Sequence, residues 1–582
     1  MSLDLIIRGG TLYDGNGGAP FRADIGVSEG RVVELGIIPA GAARELDADG
    51  LAVVPGFVDL HTHYDGQATW DEELAPSIDH GVTTAVMGSC GVGFAPVRPT
   101  DHARLIELME GVEDIPGTAL HEGLDWRWTD VASYMEAVDR VPHTMDLLCQ
   151  VPHDVLRYYV MGERAAAGLD STEQDREQMR ALLREALEAG AVGFSTGRTD
   201  NHRTARGAYT PASEASATEL VALGSAFAGR DRGVLQAVSD FDMNRSYARF
   251  DAEFDLLEGM ARAAGRPLSI STMQRDMAPG QWKQILGRVE RATAAGLPMR
   301  VQVASRPIGV LLGLQASFHP FMGFPSYKAI CTLPLAERVA ILRRPEVKAR
   351  LLSEQSEPIA GDGSAIPRMA DDFLAALPLL SMRLFLLGQE PCYEPDLETA
   401  IGARAIAAGQ HPLEAVYEAM LQDEGRALLY FPLFNYTDGN LDAVRTMLTH
   451  HLALPGLGDG GAHVGTICDA SMGTWALQWW GRDRPTGRIP VARLVQQLSA
   501  DVADFLGLRD RGRIGLGLRA DLNVVDLERL AVGAPQLQAD LPAGGRRLLQ
   551  PARGYLATVV RGEVVRQEGE DTGARPGRVV RV

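Results

Sequence analysis

The sequence predicts an α/β protein: a (β/α)8 TIM-like barrel with a small β-sandwich domain formed from both chain termini. Three observations carry this expectation. Apolar, strand-like runs alternate with helical segments through the middle of the chain, short glycine-punctuated strands recur at both ends, and an H-x-H pair follows an early apolar run. Such alternation implies parallel βα units. Over this length a closed eight-stranded barrel is the natural outcome.

Residues 1–55 read as short strands around Leu5–Gly10, Ala23–Val27 and Arg31–Leu35, and Ala520–Asp526 and Ala557–Gly562 have the same character. These ends, 1–55 and 510–582, are expected to pair into one composite β domain. Residues 56–509 are then the barrel. The run Leu51 to Val54 just ahead of it reads as a buried strand, and its own strands are read in the runs Gly81 to Met87, Ala191 to Ser195, Gly233 to Val238, Pro267 to Ser271 and Met299 to Val303. Helical periodicity covers Arg176 to Ala189 and Phe250 to Ala264. A mostly helical insertion is expected around 317–448.

Composition narrows the function. The chain has 582 residues, 46% of them hydrophobic and 23% charged, which suits a soluble protein with a large core. A net charge of −20 argues against nucleic acid and anionic membranes as partners, since both require a basic footprint. Five scattered cysteines make no disulfide framework and fit a reducing compartment. No run approaches the ~18 apolar residues of a membrane span, and the opening residues lack a secretory pattern. The expected location is the cytoplasm and the expected partner a small-molecule substrate. Oligomeric state is left open, a homo-oligomer included.

The residues that carry chemistry begin at Gly56-Phe57-Val58-Asp59-Leu60-His61-Thr62-His63. Side chains alternate along a strand, so His61 and His63 face the same side, one pleat apart. Two imidazoles at a strand end suit a divalent metal such as zinc. In a parallel barrel the remaining ligands belong at the C-terminal strand ends. Cys90, in Gly88-Ser89-Cys90-Gly91, directly follows the second strand. Asp459, in Leu457-Gly458-Asp459-Gly460-Gly461-Ala462-His463, is placed to bind the metal and shuttle a proton. His463 is either a second catalytic group or a satisfied loop histidine.

With Gly193-Phe194-Ser195-Thr196-Gly197-Arg198 and the C-terminal Gly562-Glu563-Val564-Val565, these motifs resemble the amidohydrolase superfamily, and within it the N-acyl-D-amino-acid deacylase (D-aminoacylase) branch. The resemblance spans nearly the whole chain. It implies that His61, His63, Cys90 and Asp459 are metal ligands. It also implies a hydrolase of C–N amide bonds, in which metal-activated hydroxide attacks the carbonyl and Asp459 acts as general base and then general acid.

Two departures from the family pattern stand out. The family places metal-binding histidines at the ends of strands five and six, where this chain has Gln236 and Thr272. Neither an amide nor a hydroxyl replaces a neutral imidazole at zinc, so one Zn2+ per chain is expected, with an incomplete second site. The family's carboxylate-gripping cations are also missing, the first of them standing at Gln274. Arg198, His202, Arg203 and Arg275 are the nearby candidates for substrate binding, together with Gln236, Thr272 and Gln274, because a guanidinium is a natural carboxylate clamp. The alternatives are a cyclic amide, imide or ester hydrolase or a lyase on the same metal site, and a non-catalytic metal-binding relative.

Overall fold

The computed structural model describes residues 3–241, 247–360, 366 and 369–582. Eight parallel strands are hydrogen-bonded in chain order. They are β1 (Phe57–Asp59), β2 (Val82–Met87), β3 (Asp146–Pro152), β4 (Gly193–Arg198), β5 (Val234–Ser239), β6 (Leu268–Thr272), β7 (Met299–Val303) and β8 (Ala453–Pro455). Strands β2, β3 and β4 are buried along their whole length, as expected of parallel strands covered on both faces. The barrel closes just beyond β1 and β8. Thr62 and Gly460 form a parallel bridge, His63 N–H donates to the Gly460 carbonyl at 2.8 Å, and Asp459 N–H donates to the His61 carbonyl at 3.1 Å.

The strand read ahead of the histidine pair is present. The run Leu51 to Val54 becomes the strand Ala52–Pro55, which is not part of the barrel. It pairs with Thr11 and Leu12 on one side and with Leu522–Val525 on the other, stitching the two chain ends together. Gly56 permits the passage from that sheet into β1, because a Cβ there would lie 2.2 Å from Thr83 Oγ1. The expected β-sandwich is hydrogen-bonded as a single, mostly antiparallel sheet of nine strands drawn from both termini. Leu5, Ile7, Ile25, Val27, Leu522, Val524 and Val559 form its core.

Two helices illustrate how local chemistry sets the boundaries. Glu173–Glu188 opens with a reciprocal capping box between Thr172 and Asp175. Phe250–Ala264 stops at Gly265, whose left-handed conformation ends the helix without a Cβ penalty. Between β7 and β8, helices accompany a three-stranded antiparallel sheet of Gly309–Leu312, Phe385–Leu387 and Leu428–Pro432, with a core of its own that includes Phe321, Phe324, Val416 and Leu429. Among the described residues no helix is long and apolar enough to cross a membrane.

Candidate active site

The barrel seam brings the candidate ligands together. His61 and His63 follow β1, with ring centroids 5.4 Å apart. His61 Nδ1 is 2.7 Å from Gln302 Oε1 on β7, an acceptor that fixes the proton on Nδ1 and leaves Nε2 for a metal. That Nε2 lies 3.1 Å from Cys90 Sγ and 3.4 Å from Asp459 Oδ1. His63 Nε2 lies 3.7 Å from the same Asp459 oxygen. Ligand atoms of His61, His63 and Cys90 all fall within 4.8 Å of one another. Neighbouring ligands of a tetrahedral zinc stand about 3.5 Å apart. Two imidazoles, a thiol and a carboxylate at these separations fit a divalent, borderline-soft ion.

The backbone is bent to achieve this. Cys90, Asp459 and His463 all adopt left-handed φ angles, of 58°, 47° and 49°. Such conformations cost non-glycine residues about 1–3 kcal/mol each and persist where the surroundings impose them. The surroundings of Cys90 are explicit. Its N–H donates to Gln236 Oε1 at 2.9 Å, and Gly91 N–H donates to Ser195 Oγ at 3.0 Å. A Cβ on Gly197 would sit 2.3 Å from the Cys90 carbonyl, so only glycine on β4 lets this loop approach. Asp65 accepts from Gly88 N–H at 3.0 Å and anchors the start of the turn.

The electrostatics favour the ligand form of the thiol and the carboxylate, while the same anions raise the His61 and His63 imidazoles. Burial alone would raise the Cys90 thiol, but the His61 and His63 rings beside it hold it below its ordinary value. Burial likewise opposes ionisation of Asp459, yet the His63 and His61 rings beside it hold its carboxyl well below the usual range. At Asp65 burial outweighs the charge of His63 and pushes the carboxyl up to about 7.

The other residues singled out in the sequence divide sharply. His463 is about a quarter exposed at the mouth, with Nε2 3.6 Å from Glu113 Oε2. His202 lies nearby; burial and the neighbouring His463 and His63 push its imidazole down to about 3. Arg203 stacks 3.4 Å over the Tyr209 ring and donates to the Asp200 carbonyl. Four residues expected to meet substrate are engaged elsewhere. Arg198 is gripped by both oxygens of Glu253, at 2.5 and 3.0 Å, and by the Ala215 carbonyl. Arg275 donates to the Ser239 carbonyl and to Gln281. Gln274 bonds Asp438 and Asn435 in the insertion. Thr272 turns its hydroxyl to the Ile270 carbonyl of its own strand.

Three groups at or near the site are not apparent from motif reading. Gln302 is a lone amide in the apolar strand β7, a signal that was present but faint. Glu113, 1% exposed, closes the helix His102–Glu113 and places Oε1 3.1 Å from His63 Nδ1; its sequence context is that of a solvated acidic turn. Arg306 follows β7 fully buried, 3.6 Å over the Tyr393 ring. Its Nη2 donates to the Cys468 carbonyl and Ser471 Oγ, tying β7 to the loop beyond Asp459.

A closed parallel barrel with a His-His-Cys cluster and an aspartate at its C-terminal rim defines a metal-site hydrolase of the barrel class. The chain matches the Amidohydrolase family over residues 44–566 and belongs to it. It is therefore a hydrolase acting on carbon–nitrogen bonds other than peptide bonds. An uncharacterised protein of Mycobacterium tuberculosis is 28% identical over 98% of this chain and 93% of its own length. The N-acyl-D-glutamate deacylase of Alcaligenes xylosoxydans xylosoxydans is 31% identical over 52% of this chain and 57% of its own. A solved N-acyl-D-glutamate deacylase from Bordetella bronchiseptica, in complex with zinc and a phosphonate mimic of the tetrahedral intermediate, superposes with a TM-score of 0.62. It shares 22% identity and covers both chains in full.

Proposed function

We propose that this protein is a single-zinc hydrolase of N-acyl-D-amino acids or closely related amides. The observation that carries the reading is the juxtaposition of His61, His63 and Cys90 with Asp459 at the barrel seam. The deacylase relatives support an acylated amino-acid substrate, and the zinc in the Bordetella enzyme supports the choice of ion. A single ion is favoured because Gln236 and Thr272 stand where the family carries histidines, and the Gln236 Oε1 and the Thr272 hydroxyl are bonded to backbone partners.

A divalent ion held by these residues supplies Lewis acidity toward the carbonyl oxygen and lowers the pKa of a water toward ~7. Asp459, kept ionised, accepts the proton of the attacking water and passes it to the departing nitrogen. His463, about a quarter exposed at the rim, would donate a hydrogen bond to the oxyanion that develops on the carbonyl. Arg203, partly exposed beside His202, is the cation best placed for a substrate carboxylate once Arg198 and Arg275 are set aside.

The test is a substrate panel run on metal-analysed protein. N-acyl-D-amino acids, their L-enantiomers, cyclic amides, imides and simple esters are compared by kcat/KM. Preference for the acyclic D-series with about one zinc per chain supports the proposal. Preference for a cyclic amide or an ester reassigns the substrate, and protein purified without metal that gains no activity with added zinc overturns the reading.

A further inference from the structure

We propose that Glu113 is a positioning residue that orients His63 for metal binding. This rests on the metal-binding reading of His61, His63 and Cys90. Glu113 is buried to 1% exposure, and its two oxygens face two different imidazoles: Oε1 is 3.1 Å from His63 Nδ1 and Oε2 is 3.6 Å from His463 Nε2. Among the described residues neither oxygen has an aligned hydrogen-bond donor, and His63 Nδ1 has no acceptor in line. A carboxylate enclosed without a partner costs several kcal/mol, so a buried glutamate in this position needs a purpose.

The main chain shows what that purpose is not. The His463 N–H already donates to the Glu113 carbonyl, and Asp114 Oδ2 accepts from Gly465 N–H and Thr466 Oγ1, each at 3.2 Å. The helix end thus grips residues 463–466 without the Glu113 side chain. What the carboxylate adds is a fixed direction for His63. An imidazole that donates Nδ1–H to a carboxylate is locked in one tautomer, turns Nε2 toward the metal and becomes a more basic ligand. The two histidine ligands are then set differently: His61 by the neutral amide of Gln302, His63 by an anion that also faces the rim.

The experiment measures zinc affinity of the full-length protein by competition with a chromophoric chelator, alongside the melting temperature of the metal-free form and the visible spectrum of the cobalt-loaded form. Glu113→Gln keeps shape and an acceptor but no charge; Glu113→Leu removes both. Affinity should fall in the order wild type, Gln, Leu, with about a 10–100-fold loss for the Leu variant. The metal-free melting temperature should stay nearly constant while the cobalt spectrum shifts. Asp114→Asn is the control for the main-chain grip and should leave affinity unchanged. If Glu113→Leu and Glu113→Gln both bind zinc as tightly as wild type, the role is wrong; should the Leu variant not fold, the Gln variant decides by the same criterion. Wild-type protein that binds no zinc fails at an earlier step and overturns the metal reading itself.

Discussion

Asp459 and His61 meet twice. The Asp459 N–H donates to the His61 carbonyl at 3.1 Å, and Asp459 Oδ1 lies 3.4 Å from His61 Nε2. The hydrogen bond that closes the barrel and the contact between two candidate ligands therefore involve the same pair of residues. Because the main chain fixes Asp459, its side chain can change without opening the seam. Asp459→Asn is expected to fold and to retain bound metal through His61, His63 and Cys90, while losing the proton shuttle. Turnover should fall about 10²–10⁴-fold, the usual contribution of a positioned general base. Steady-state kinetics with elemental analysis of the same sample checks this; near wild-type turnover removes Asp459 from the mechanism.

Gln302 makes a sharper test of how His61 is held. Its Oε1 accepts from His61 Nδ1 at 2.7 Å, and its Nε2 donates to Ser269 Oγ at 2.8 Å, so the amide is clamped in one orientation. Gln302→Leu deletes the acceptor and frees the His61 tautomer. Zinc affinity is expected to drop about 10–100-fold, the range typical for partners that orient a metal-binding histidine. Chelator competition reads this directly. Unchanged affinity means that the ring is held by packing alone.

The contrast between Gln302 and His61 shows what could be read in advance. β-strand periodicity and the rule that barrel chemistry sits at C-terminal strand ends, both local properties of the sequence, single out His61, His63, Cys90 and Asp459 as candidates, and the family resemblance joins them into one ligand set. The strands Val82–Met87 and Met299–Val303 and the helix Phe250–Ala264 were legible for the same reason: each is a continuous periodic run. The strand Ala52–Pro55 was legible as a run, but an apolar run of four does not say which strands it pairs with. Glu113 and the Arg198–Glu253 pair were not legible at all. Burial of a charge depends on partners 50 residues or more away in the chain, about which local pattern is silent.

That pair yields its own prediction. Arg198 and Glu253 are both almost wholly buried and joined through two hydrogen bonds. Removing one partner strands the other charge in the interior, which typically costs about 3–5 kcal/mol. Arg198→Met and Glu253→Gln should each lower the melting temperature clearly, with KM for an N-acyl amino acid little changed in the protein that remains folded. A large rise in KM for Arg198→Met without loss of stability would instead mark Arg198 as a substrate clamp.

Asp154, whose carboxylate abuts Gly91 beside the Cys90 turn, offers a test by pH. It opens the helix His153–Met161 just past β3, is fully buried, and accepts from Ala212 N–H at 2.5 Å. Burial is the dominant influence and raises its carboxyl from 3.8 to about 7. The folded state therefore holds this proton more tightly than the unfolded chain does. A group with a raised folded pKa contributes stability in full below its unfolded value, and that contribution is lost as pH rises through the folded one. For Asp154 the loss falls between about pH 4 and pH 7. Asp154→Asn keeps an acceptor for Ala212 and has no proton to give up, so its melting temperature relative to wild type should rise between pH 5 and pH 8. Calorimetry at the two pH values measures that difference. A constant offset would show that Asp154 ionises equally in the folded and unfolded states, and that its burial is relieved by solvent reaching the carboxyl.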